Sequence, residues 1–263
     1  MNKFKIQKTT YMIIGMLIAV SFTFILLLLE PQFPNYLRYG YLKKLFIWIW
    51  LLLIYLYAIK IEQQKFLLWN DKKLSILFYF ISVISVLGLS FLAGASSLLL
   101  PMFGLKIQAS QILKEMLAYM HTHLFLLVLT CLTAGIVEEL IFRGYLIPRL
   151  NILFKNNYLP VIFSALIFGL SHMGYGTLIN MVVPFFIGLI FGAYYQKYRN
   201  LKVLILCHFL IDFLSLMFTK WLQINFSLKT LEASCLQQRI CFNVGGRIYS
   251  RPFFRYSASF WAD

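Results

Sequence analysis

The sequence predicts an all-α fold, a polytopic transmembrane helical bundle of about seven spans, within bounds of six to eight. Three observations carry this. Hydrophobic residues make up 61% of the 263 positions, only 13% are charged, and the mean hydropathy is +0.78. A soluble domain has roughly 45–50% apolar and about 25% charged residues. The apolar residues fall in runs of span length, about 20 residues each, and the net charge of +15 sits between those runs rather than on one patch. That distribution excludes a nucleic-acid-binding reading and fits topology signals and attraction to anionic lipid.

Taken in order, the chain begins with Lys3, Lys5 and Lys8, followed by a span over about Tyr11–Leu29. This run is too long for a signal-peptide core and lacks a small-residue cleavage site, so it reads as an uncleaved first span. Glu30, Pro31 and Pro34 end it, since proline cannot continue the helix ladder. A second span covers about Tyr41–Ile59, with Lys43 and Lys44 snorkelling at its start. A polar loop, Lys60–Lys73, precedes a third span within Leu74–Leu100. Residues Ile112, Leu113, Met116, Leu117 and Met120 recur at helical spacing and predict an amphipathic helix, interfacial or on a surface.

The fourth span, about Leu124–Ile147, ends at Pro148 and Arg149. A fifth covers about Tyr158–Met173 and closes in Gly174-Tyr175-Gly176. The sixth (about Thr177–Tyr195) and seventh (about Val203–Phe218) are joined by a tight basic loop with Lys197, Arg199 and Lys202. With a cytoplasmic N-terminus, the inside segments hold Lys3, Lys5, Lys8, Lys60, Lys65, Lys72, Lys73, Arg149, Lys155, Lys197, Arg199 and Lys202. The outside segments hold Arg38, Lys43, Lys44, Lys106 and Lys114. The positive-inside bias therefore puts the N-terminus in the cytoplasm. Residues 1–225 read as the membrane domain. Residues 226–263 form a basic tail, with Arg239, Arg247, Arg251 and Arg255, that has neither a helical period nor a span-length run and receives no function. The four cysteines, Cys131, Cys207, Cys235 and Cys241, form no C-x-x-C pair, and the first two read as packing residues.

Chemistry concentrates in the fourth span, which holds Glu138, Glu139 and Arg143 inside an apolar segment. Ionisable groups at that depth are costly and are functional candidates by default. Adjacent helical residues point about 100° apart, so the two glutamates take different roles. Arg143, four residues after Glu139, can pair with it, which leaves Glu138 available to take a proton. His172 follows Phe168 by one turn. His208 and Asp212 share a helix face, where Asp212 can orient the imidazole, accept a proton, or make only a local hydrogen bond. His121 and His123 fall in a predicted, solvated loop. Straight spans do not bring Glu138, His172 and His208 to one depth; broken or tilted helices are required. The alternative is that these charges only knit helices together.

The set Glu138-Glu139-x-x-x-Arg143, Phe168-x-x-x-His172 and His208-x-x-x-Asp212 closely resembles the CAAX proteases and bacteriocin-processing enzymes of the CPBP or Abi family of intramembrane endopeptidases. The resemblance covers about residues 120–215. It implies a helical bundle with a cavity open to membrane and water. It implies Glu138 as the base that activates water with His172 assisting, Glu139 positioning His208, and His208 with the residue at 212 holding the oxyanion. The family usually has asparagine where this chain has Asp212. An ionised aspartate cannot donate to an oxyanion, so the implied role requires a protonated Asp212 or action through His208.

Glu138, Glu139, His172 and His208 are also acceptable zinc ligands, although no H-E-x-x-H signature is present. The resemblance leaves open a divalent zinc ion or a metal-free glutamate mechanism. The implied substrate is a peptide or lipidated peptide. The lysine, isoleucine and phenylalanine content suits an AT-rich bacterial source, which points to a pheromone, a bacteriocin, or self-immunity to one, in the cell membrane. Two other classes remain open: a non-catalytic immunity or scaffold protein, and a proton-coupled transporter using the buried carboxylates and histidines as a relay. The absence of paired inverted halves weighs against the transporter.

Overall fold

The structure is a computed structural model that describes residues 3–29, 36–96, 99, 102, 111–175 and 178–219. The basic tail and most of the 97–110 segment lie outside the described residues. Contacts divide the chain into Met1–Leu216 and Met217–Asp263; the description below concerns the first unit and the last turn of the helix that leaves it.

Eight helices and no strand are found among the described residues. They are α1 (Lys3–Leu29), α2 (Tyr36–Lys60), α3 (Ile76–Ser96), α4 (Gln111–Thr122), α5 (Leu124–Phe154), α6 (Leu159–Leu170), α7 (Ile179–Tyr198) and α8 (Leu201–Thr219). Six of these, all but α4 and α6, are long and apolar enough to cross a membrane. Their outward faces carry large apolar side chains: Leu17, Ile76, Phe91 and Phe125 are each about two-thirds exposed or more. In water such a surface would be a liability; in lipid it is the expected exterior. The chain is a multi-pass membrane protein.

Two expectations change here. The predicted fifth span is a helix of only 12 residues, α6. At 1.5 Å per residue it is about 18 Å long, short of the roughly 30 Å hydrocarbon core. It ends after Leu170, and a 3-10 turn, Met173–Tyr175, follows. The fourth span does not end at Pro148. It continues to Phe154, because the ladder changes register just before the proline. Residues Ala134–Leu146 form a π segment, and the Ile147 N–H bonds to the Phe142 carbonyl, five residues back. Pro148 then opens the next α-helical stretch, where a missing N–H is tolerated.

Helix α5 is the axis. Helix α2 runs parallel to it: a side chain at Gly40 would meet Leu126, Trp48 Nε1 donates to Thr133 Oγ1, and Glu62 beyond the helix meets Arg149. Helix α8 runs antiparallel. A Cβ on Gly135 would lie 3.1 Å from both the Ile205 carbonyl oxygen and the Phe209 nitrogen, and His121 Nε2 lies 3.0 Å from the Leu216 carbonyl. Helices α6 and α7 form a close hairpin, in which a Cβ on Gly169 would lie 2.8 Å from the Met181 carbonyl. A Cβ at Gly169 would force the two backbones apart, and one at Gly135 would be a tight fit.

The core has two halves. One joins α1, α2, α5 and α6 through Met16, Ile54, Phe142, Tyr145 and Phe168. The other joins α3, α7 and α8 to Ile147 of α5 through Val83, Phe191, Tyr195, Leu204 and Cys207.

The 60–75 segment is not a free polar loop. Glu62 is buried, and both its oxygens accept from Arg149, at 2.8 Å each from Nε and Nη2. Tyr145 Oη donates to the same carboxylate at 3.2 Å. Arg149 also donates to the Phe66, Tyr145 and Lys65 carbonyls and lies 3.6 Å over the Tyr145 ring. Arg149 is therefore a fully buried clamp rather than an exposed inside cation. Farther along, Asp71 accepts from the Leu201 N–H and Asn200 from the Val203 N–H, capping α8. Replacing Arg149 with methionine should cost about 3–5 kcal/mol, because Glu62 is left as a buried, unpaired charge. Thermal unfolding in detergent should show the loss, and the double substitution Arg149→Met, Glu62→Met should recover much of it.

Candidate active site

The π segment of α5 determines how the acidic pair is displayed. A π turn is wider than an α turn and recurs at functional sites. Here it presents Glu139 to the interior, with no exposure at all, while Glu138 keeps a third of its side chain exposed. One buried polar atom of Glu138, Oε2, has no hydrogen-bond partner within the protein.

Glu139 is held from two sides. Its Oε1 accepts from Arg143 Nη1 at 2.7 Å and from His208 Nδ1 at 2.7 Å. Charge-assisted bonds of this length in a buried setting are strong. Arg143 is buried as well, enclosed by Phe168, Phe191 and Phe142 at 4.5, 5.2 and 6.0 Å from its guanidinium carbon. Phe168 and Phe191 also turn their edges or faces to His208, at centroid distances of 6.0 and 5.9 Å. Three aromatic rings thus wall the ion pair from lipid and fix the imidazole plane.

With Nδ1–H donated to Glu139, the other nitrogen of His208 faces outward from the pair. Nε2 lies 3.8 Å from Glu138 Oε2 and 3.7 Å from Asp212 Oδ2. These separations are longer than direct hydrogen bonds, so a small oxygen-bearing group beside the three atoms can bond to each. His208 reaches this point because Gly135 lets α8 pack against α5, and Asp212 follows on the same face one turn later.

His172 sits beyond α6, just before the 3-10 turn. Its Nδ1 lies 2.8 Å from the Phe168 carbonyl, the geometry of Nδ1–H donation. Its ring meets the Phe168 ring edge-on at 4.9 Å. Phe168 therefore joins His172 to both Arg143 and His208, and the Asp212 carboxyl is within electrostatic reach of His172. All six residues singled out in the sequence, Glu138, Glu139, Arg143, His172, His208 and Asp212, come together around one aromatic centre. Phe191 and Gly135 were not singled out; neither residue type carries a chemical signal in a sequence already rich in apolar residues.

Of the four candidate metal donors, Glu139 has Oε1 committed to Arg143 and His208. His208 and His172 direct Nδ1 to an oxygen and keep Nε2 for another partner, as an imidazole that holds a metal also does. Among the described residues no group of three or more His, Cys, Asp or Glu side chains is disposed to hold an ion. His121 is also placed differently from the expectation of a solvated loop. It belongs to α4, is buried, and its Nε2 meets the Leu216 carbonyl. His123 stacks on Tyr119 at 4.4 Å.

The contrast between the two glutamates is measurable. Glu139→Gln should lower stability by about 2–4 kcal/mol, since Arg143 is then a buried cation without a counter-charge. Glu138→Gln, partly exposed, should stay within about 0.5 kcal/mol of the wild type. Thermal unfolding of the two variants in the same detergent checks this.

Residues 120–214 match the family described as Rce1-like, type II CAAX prenyl endopeptidase Rce1-like. No curated protein and no solved structure matches the chain. The matched residues run from the end of α4 through α8 and contain the whole aromatic-walled cluster. Residues 120–214 are thus similar to the Rce1-like type II CAAX prenyl endopeptidase domain, a likeness consistent with the CPBP/CAAX family of intramembrane proteases.

Proposed function

We propose that the protein is an intramembrane endopeptidase that hydrolyses a peptide bond with water activated by Glu138. The observation that carries this reading is the unbonded Oε2 of Glu138, 3.8 Å from the outward nitrogen of an imidazole that Glu139 already holds by its other nitrogen. A base and an electrophilic donor stand side by side, and the donor is oriented by Glu139, which does not itself face the substrate.

In the reaction, Glu138 takes a proton from water as its oxygen adds to the peptide carbonyl carbon. The carbonyl oxygen becomes an oxyanion and accepts from Nε2–H of His208. The proton on Glu138 then passes to the leaving nitrogen as the C–N bond breaks. General-base help of this kind is worth about 10²–10⁴ in rate, and one oxyanion donor about 10²–10³. Asp212, when ionised, does not donate; it acts on His208. His172, with Nδ1–H spent on Phe168, offers its other nitrogen to the water or to the leaving group. No step here is routed through a metal; a divalent zinc ion is the alternative that chelation tests.

The substrate is a peptide or lipidated peptide presented at the membrane. Processing of a secreted pheromone or bacteriocin, or self-immunity to one, in a bacterial cell membrane with the N-terminus cytoplasmic, is the setting that the sequence supports. The purified protein in lipid, offered short hydrophobic and lipidated peptides, tests the activity. Wild type should cleave, Glu138→Gln should lose at least about a hundredfold in kcat, and chelator should change neither. Cleavage that survives Glu138→Gln would sink the glutamate mechanism, and loss on chelation would reinstate a metal. A cellular phenotype that persists in Glu138→Gln would instead favour a non-catalytic immunity or scaffold role.

A further inference from the structure

Three carboxylates surround His208: Glu139 at Nδ1, and Glu138 and Asp212 at Nε2. Arg143 answers Glu139. One imidazole then faces two further carboxylates, each with about a third of its side chain exposed. A further cation on the Asp212 side would favour the ionised carboxylate there.

We propose that Lys44, on α2, is a positioning residue of this site: its ammonium holds the Asp212 carboxylate and so sets how His208 Nε2 is shared between Asp212 and Glu138. The helix register brings the two residues to one level. Lys44 is midway between Gly40, which abuts Leu126, and Trp48, which bonds to Thr133. It therefore stands opposite the turn of α5 around Val128–Thr130. Asp212 follows by about one turn His208, which bonds to Glu139, and Phe209, which packs on Gly135. Antiparallel to α5, it comes opposite the turn that precedes Gly135 and holds Cys131. Trp48 faces α5, and Lys44 lies one turn before it on the same face. Asp212 is within electrostatic reach of Lys44 as well as of His208, Glu138 and His172. Lys44 is half-buried rather than extended into solvent. Its flexible four-carbon stem and three donors suit a cation that must reach across from a neighbouring helix.

This inference rests on the reaction proposed above for its catalytic consequence, but it makes a structural claim that can be read without any substrate. The chain has four histidines, so 15N spectra of histidine-labelled protein in lipid nanodiscs can resolve His208 once it is assigned by substitution. Lys44→Met should shift the His208 Nε2 resonance, and Lys44→Arg should restore it. In an Asp212→Asn background, Lys44→Met should leave that resonance where it is. Where a cleavable peptide is in hand, Lys44→Met should lower kcat about tenfold with KM unchanged, and should have no such effect beside Asp212→Asn. A His208 resonance that is identical in folded wild type and Lys44→Met, or that moves equally far with and without the Asp212 carboxylate, would overturn the role of Lys44. If the spectra show the coupling but no variant alters cleavage, or Glu138→Gln still cleaves, the proposed reaction fails and the Lys44–Asp212 coupling stands.

Discussion

The carboxylate of Glu139, held at 2.7 Å by Arg143 on one side and His208 on the other, is the interaction on which the rest of the site depends. In water such a pair contributes little; inside a membrane bundle each member would be severely costly alone. The three therefore constrain one another. Arg143 cannot leave without stranding Glu139, and Glu139 cannot turn without releasing the imidazole. This mutual constraint fixes the direction of His208 Nε2, and with it the space in which Glu138 and Asp212 meet a third group. Phe142, Phe168 and Phe191 add a second restraint, filling the space around the guanidinium so that no other rotamer of Arg143 is accommodated as well.

Backbone irregularity makes this geometry possible. Pro148 has no N–H, so a carbonyl of the turn before it lacks a ladder partner. The π segment shifts the register before the proline and lets a 31-residue helix continue through it. It also separates the environments of the two adjacent glutamates, one fully enclosed and one reaching the opening. A short α6 does the complementary work. Because it ends after Leu170, the Phe168 carbonyl at its last turn accepts from Ser171 Oγ and meets Nδ1 of His172. Irregular backbone in a membrane protein is tolerated where protein covers it, which is the case for the π segment.

A second buried charge cluster stabilises the same helix. Arg149, six residues after Arg143 and so about 9 Å farther along α5, binds Glu62 with two hydrogen bonds and folds the 60–75 segment back under the bundle. Asp71 of that segment then caps α8, the helix that delivers His208. The Trp69 ring of the same segment lies 5.4 Å from Tyr195 and under Arg199. The site on α5 and α8 is anchored at one end by a loop that on composition alone looks like solvated polar chain.

Much of this was legible in the residue string, for definite reasons. Apolar runs of span length can be satisfied only by helices in lipid, so the class of fold and the approximate spans follow from composition and periodicity. Charge in those runs is costly enough that Glu138, Glu139, Arg143, His208 and Asp212 stand out, and a four-residue spacing makes the Glu139–Arg143 and His208–Asp212 relations readable without coordinates. The tertiary structure decided what spacing does not encode. A change of helical register depends on packing against other helices, so neither the π segment nor the continuation past Pro148 could be read. The burial of Glu62 and Arg149 depends on partners 87 residues apart, and a lone charge beside a predicted span end looks the same whether it faces water or a partner. The length of α6 and the burial of His121 were settled likewise by neighbours distant in sequence. Local pattern determines which residues must leave water or find a counter-charge; only the assembled bundle determines which partner each one finds.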